Sequence, residues 1–165
     1  ELVERLGHVV GAEGSARNMT TKMKQDIEDV KALSADTKGQ VVISMSSMEG
    51  FSGTGSLFDD MTRVMGLVNG PSYLRYAPRT AFTEERIIEM DPHVILIPVC
   101  DKSEMAWQTL YRDNPGLQTV RAVRDGRVVT MPAADLYTGN QFIGESMKDI
   151  LRIVRESEKG EGTHE

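Results

Sequence analysis

A single cysteine, Cys100, stands in the 165 residues, so no internal disulfide can form and a packed core must hold the fold. Aromatics are sparse: one tryptophan, four tyrosines and four phenylalanines. No apolar stretch approaches the roughly 20 residues that span a bilayer, and no basic segment followed by an apolar one opens the chain. Basic residues are outnumbered by acidic ones, 19 to 25. The arginines are scattered apart from Arg121, Arg124 and Arg127, which argues against the clustered cationic face of a nucleic-acid-binding domain. The three histidines and Cys100 show no structural-metal spacing. Position 106 is alanine, so Cys100 lacks the arginine six residues on that a cysteine phosphatase loop needs, and it reads as a buried strand-end residue.

What is present is patterned. Over residues 12–33, Met19, Met23, Ile27, Val30 and Leu33 recur every three or four positions, with charges on the other faces, which predicts one long amphipathic helix. Residues 40–45 form a β-branched run, and residues 46–55 a loop rich in serine and glycine. Ser56 caps a helix whose face is Leu57, Met61, Val64, Met65 and Val68. Asn69-Gly70-Pro71 stops it, and an irregular stretch reaches Arg79. Thr83 caps another helix with Glu84 and Glu85 in its first turn. Asp91-Pro92 ends that helix before the apolar strand 94–99. Ser103 caps a helix reaching Tyr111. Asp125-Gly126 turns into a strand at 127–131, and Asn140 opens a last helix packed through Ile143, Met147, Ile150, Leu151 and Val154. The polar tail beyond Glu158 is expected to be disordered.

Strands alternating with helices, and apolar on both faces, predict an α/β fold: a three-layer sandwich around a mainly parallel sheet, a Rossmann-like lobe preceded by a long helix. Ligands then sit at the carboxyl ends of strands, which selects the loops 46–55, 100–107 and 132–139. An enzyme reading would have Ser52 or Asp101 do chemistry at these strand ends. Gly50-Phe51-Ser52-Gly53-Thr54 lacks the last glycine of a nucleophile elbow, and Gly53-Thr54-Gly55-Ser56-Leu57-Phe58 lacks the third glycine of a dinucleotide loop. No histidine near a strand end could serve a serine as base. A small hydrolase-like enzyme and a module that binds partners through its long helix remain the alternatives.

Several segments in order carry a resemblance. Met65-Gly66-Leu67-Val68-Asn69 is followed by Thr83, Glu85, Ile87, Ile88, Asp91 and Pro92, then by Pro115-Gly116-Leu117, Ala122-Val123 and Asp125-Gly126-Arg127-Val128. Together they resemble the C-terminal lobe, with the interlobe helix, of the class III periplasmic substrate-binding proteins of ABC importers for iron-siderophores, haem and cobalamin. His93 replaces the family's usual aspartate after the proline.

The resemblance implies a division into residues 1–10, the end of an N-terminal lobe otherwise missing; 11–35, the interlobe helix; 36–158, a ligand-binding lobe; and 159–165, the tail. It implies an extracytoplasmic protein, periplasmic or lipid-anchored, that does no catalysis and needs no cofactor. A monomer would capture a metal-chelate ligand and dock on a membrane permease through Glu85. By the strand-end rule the ligand contacts are Met45, Ser47, Met48 and Phe51, then Met105 and Trp107, then Leu136 and Tyr137. That set is apolar and aromatic and suits a large, partly apolar ligand.

Overall fold

The strand β4 (Val94–Val99) is buried along nearly its whole length, as a strand covered by helices on both faces must be. The computed structural model describes residues 2–46, 50–77, 80–81, 83–100, 111–137 and 139–159. β4 pairs in parallel with β1 (Val41–Ser46) on one side and β5 (Val128–Pro132) on the other. The free edge of β1 takes two short partners: β3 (Val68–Asn69), parallel at its start, and β2 (Gly50–Phe51), antiparallel at its end. The predicted mainly parallel sheet is therefore present.

Alternate side chains along the strands feed two cores, as the period of two demands. Val42, Val94, Leu96 and Met131 face one side. They meet Val30 of α2 (Glu13–Leu33), Phe58 and Met61 of α3 (Leu57–Val64), and Met147, Ile150, Leu151 and Val154 of the last helix, Ile143–Lys159. Ile43, Met45, Ile95, Ile97 and Val128 face the other side, against Ile87, Met90, Leu117, Val120 and Val123. Numbered along the described residues, the remaining helices are α1 (Leu2–Val9), α4 (Gly70–Tyr73), α5 (Glu84–Met90), α6 (Arg121–Arg124) and α7 (Ala133–Tyr137), and the last helix is α8; the helix expected from Ser103 to Tyr111 lies almost wholly outside the described residues.

Three expectations change. Val68 does not extend the helical face of α3. Leu67 N–H and Gly66 N–H close on Thr62 O and Arg63 O, Gly66 takes φ 66°, and the chain turns into β3. The last helix starts at Ile143 rather than Asn140, whose Oδ1 instead accepts Phe142 N–H at 2.8 Å. Along α2 the stripe is only partly buried: Val30 is enclosed, but Met19 and Leu33 are each more than a third exposed, and Ala16 and Asp26 are buried in their place.

Candidate functional site

From β1 the chain runs outward through α3 to β3 and then returns to β4 on β1's other side. The direction of winding thus reverses between β1 and β4, the place where open α/β sheets open a crevice beyond the strands' carboxyl ends. The described residues around that edge are Met45 and Ser46 of β1, Val99 at the end of β4, Cys100 just after it, which is exposed and not buried because the strand has ended, and α7, which starts directly at the end of β5. Of the sequence-selected contacts, Tyr137 lies at the end of α7 with about a third of its surface exposed. Met45 and Leu136 are fully enclosed in opposite cores, so they support this edge from beneath and are not brought together. Phe51 is in β2, which folds back over the end of β1. Ser47, Met48, Met105 and Trp107 lie outside the described residues.

The structure adds a fourth loop to the edge. Because β3 is a strand, residues 70–77 also leave a strand's carboxyl end, and the backbone locks them to the glycine loop. Thr54 N–H bonds Tyr76 O at 3.0 Å, and a Cβ on Gly53 would stand 2.5 Å from Ala77 O and 2.6 Å from Tyr76 O. Only glycine permits that approach. Asn69 fastens both loops: its Nδ2 lies 2.8 Å from Ser52 O, 2.8 Å from Ser72 Oγ and 3.3 Å from Asp59 Oδ1. Asp59 Oδ2 accepts Gly55 N–H at 3.0 Å and pairs with Arg63 at 3.1 Å. Burial pushes the Asp59 carboxyl up, but bonds from Ser72, Gly55 N–H and Asn69, with the Arg63 charge, outweigh it and hold the group below the usual carboxylate range. Sequence reading passed over this loop because two residues of strand give no periodicity; the glycine ending α3 four residues before Gly70 was the available signal.

On α5 the two first-turn glutamates are used differently. Thr83 caps the helix by accepting Arg86 N–H. Glu84, though exposed, is tied down: its Oε1 accepts from Asn114 Nδ2 at 2.7 Å and the carboxylate packs over Gly116. Glu85 is exposed. Its own N–H and the Thr83 hydroxyl hold its carboxyl below the ordinary value, as expected of an acid at a helix N-terminus, so it presents a fixed negative charge. At the opposite edge of the sheet, His93 Nδ1 accepts Val41 N–H at 3.0 Å while Asp91 binds the Arg121 backbone and guanidinium at 2.8 and 2.9 Å. There the histidine fastens β4 to β1.

Among the described residues, no three of His, Cys, Asp and Glu are grouped to hold a metal ion. None of the described helices is long and apolar enough to cross a membrane. A cavity of about 290 Å³ lies between α1 and α2, lined by Glu4, His8, Glu13 and Arg17, and belongs to neither the strand-end edge nor α5.

No curated protein matches the chain. Solved structures do. The periplasmic haem-binding protein RhuT from Roseiflexus sp. RS-1 matches with TM-score 0.82 and 15% identity, over 94% of this chain and 61% of its own. An ABC-type Fe3+-hydroxamate transport system from Saccharomonospora viridis matches with TM-score 0.75 and 15% identity, over 92% and 53%. The petrobactin-binding protein YclQ from Bacillus subtilis matches with TM-score 0.67 and 18% identity, over 93% and 55%. At these identities the likeness is one of fold, and this chain spans little more than half the length of those proteins. The model of the periplasmic binding protein family matches residues 1–134. With that match on a shared fold, the chain belongs to the periplasmic binding protein family, whose members bind substrates outside the cytoplasm.

Proposed function

We propose that this chain is the C-terminal lobe and interlobe helix of the extracytoplasmic substrate-binding component of an ABC importer. Its cargo is a ferric siderophore or a related metal macrocycle, haem or cobalamin. Residues 1–10 end a preceding lobe, α2 bridges to it, and residues 36–158 supply half of the cleft. The family match over residues 1–134 carries this reading. The strand order supports it, because the winding reverses between β1 and β4, and ligands of open α/β sheets bind beyond the carboxyl ends of the strands at such a reversal.

Tyr137, Phe51, Ser47, Met48, Met105 and Trp107 contact the cargo, on a floor set by Met45 and Leu136. Apolar area gives most of the affinity and a few polar groups give orientation. Glu85 registers the loaded protein, as a monomer that is periplasmic or lipid-anchored, on basic residues of the permease. Both glutamates are exposed, but Glu84 is engaged by Asn114, and that difference supports Glu85 as the docking charge.

Iron uptake by cells that depend on this protein tests the reading. Deletion should abolish uptake of one class of chelate. Glu85→Lys should lower uptake by at least about tenfold with chelate binding intact, since it reverses a charge at an interface, and Glu84→Gln should leave uptake unchanged. Uptake indifferent to deletion would remove the importer assignment, and normal uptake by Glu85→Lys would remove the docking role.

A further inference from the structure

Two helices of this chain end in the same pair of hydrogen bonds, with different residues in the left-handed position. After α3, Leu67 N–H bonds Thr62 O at 2.9 Å and Gly66 N–H bonds Arg63 O at 3.3 Å. After α4, Tyr76 N–H bonds Pro71 O at 2.7 Å and Arg75 N–H bonds Ser72 O at 3.0 Å. Both are Schellman endings, whose left-handed residue is usually glycine. The first uses Gly66 at φ 66°, and the second uses Arg75 at φ 59°. A Cβ is disfavoured at that φ, and arginine lacks the short side chain by which asparagine or aspartate compensates locally. Backbone strain of this kind persists where a site uses it.

The location of Arg75 gives the strain a use. It sits in the loop leaving the carboxyl end of β3, next to Tyr76, whose carbonyl holds the glycine loop, and three residues after Ser72, which the Asn69 network fixes. Arg75 is exposed, and among the described residues its guanidinium forms no ion pair. Arg63, Arg121, Arg124 and Arg155 are each tied to an aspartate. A cation is thus held on a loop tied to the glycine loop, with its charge uncommitted.

We propose that Arg75 is a specificity-determining cation of the cleft, selecting a chelate or macrocycle that carries negative charge, carboxylate or catecholate. The inference rests on the binding reading above. A guanidinium suits this task because it stays charged and can meet two oxygens at once.

The test uses the two-lobed protein with four probes: haemin, an anionic ferric tris-catecholate, a cationic ferric trihydroxamate and cyanocobalamin. Wild type is expected to prefer an anionic probe, and which of the two it prefers tells carboxylate from catecholate. Arg75→Gly should unfold at a higher temperature, because it relieves the left-handed strain, yet bind that probe at least about tenfold more weakly. Arg75→Lys, which keeps the charge, should lose less. A preference for the cationic or uncharged probe, or equal affinity for the anionic probe in wild type and Arg75→Gly, overturns the role of Arg75 and leaves the binding reading intact. Failure of wild type to bind any probe overturns both.

Discussion

His93 shows how one side chain couples strand pairing to proton concentration. Its Nδ1 accepts the N–H of Val41, and the Arg121 guanidinium stands against its other nitrogen. Burial first, then the charges of Arg121 and Arg127, hold its pKa below the ordinary 6.5, with Asp91 opposing them. A folded value below the unfolded one means that the unfolded chain takes up the proton more readily. The stabilisation is therefore complete above about pH 6.5 and is lost as pH falls through the lower folded value. Thermal unfolding midpoints should drop between pH 7 and pH 5, and His93→Asp, which restores the residue usual in the family, should flatten that drop; an unchanged slope would contradict the role. Gly53→Ala should destabilise by about 1–3 kcal/mol in denaturant titration, because the carbonyls of Tyr76 and Ala77 leave no room for a Cβ. Ser44 is fully buried, and among the described residues its hydroxyl has no hydrogen-bond partner. Ser44→Ala should raise stability by about 1 kcal/mol.

At the scale of elements, the contact between α2 and α8 decides how the long helix is carried. Lys148 Nζ reaches Asp26 at 2.8 Å and Asp29 at 2.9 Å, and Lys22 joins Asp26 at 2.8 Å to Glu145 at 2.5 Å. Gly144 lets the two backbones approach, since a Cβ there would collide with Asp26. Bonds from Lys148 and then Lys22 hold the Asp26 carboxyl below its ordinary value, and Gln25 and Lys148 do the same for Asp29. Their contribution is present above about pH 3.8 and is lost as pH falls through the folded values, a second acid phase separate from that of His93. Gly144→Leu should force the helices apart and speed amide exchange in the second half of α2 while leaving α1 unchanged. Uniform exchange in the variant would contradict a local clamp. The sequence announced α2 by its period but misjudged its buried face. Asp26 is interior because Lys148, 122 positions away, neutralises it, and no local pattern reports that. Likewise β4 and α5 were legible from an apolar run and a threonine cap. β3 was not, because two residues become a strand only when Val41 and Val42 lie beside them.

For the whole molecule, the parallel sheet was readable because its long strands β1 and β4 are largely apolar runs. The cleft was readable only as a set of strand ends. Which side chains fill it depends on loops whose contacts are non-local, and Met45, near the end of β1, and Leu136, in the helix after β5, illustrate the limit: both are selected by the strand-end rule, yet both are enclosed. Half a cleft should bind poorly, because one lobe buries only part of a ligand's surface. The measurement that bears most directly on this account is a titration of the two-lobed protein and of this chain alone with haemin, cyanocobalamin and ferric siderophores, following the visible spectrum and tryptophan quenching, which in this chain reports Trp107. The account predicts tight, selective quenching in the two-lobed protein and binding at least about 100-fold weaker in the single lobe. No binding of any chelate by the two-lobed protein, or equal affinity in the lone lobe, would contradict it.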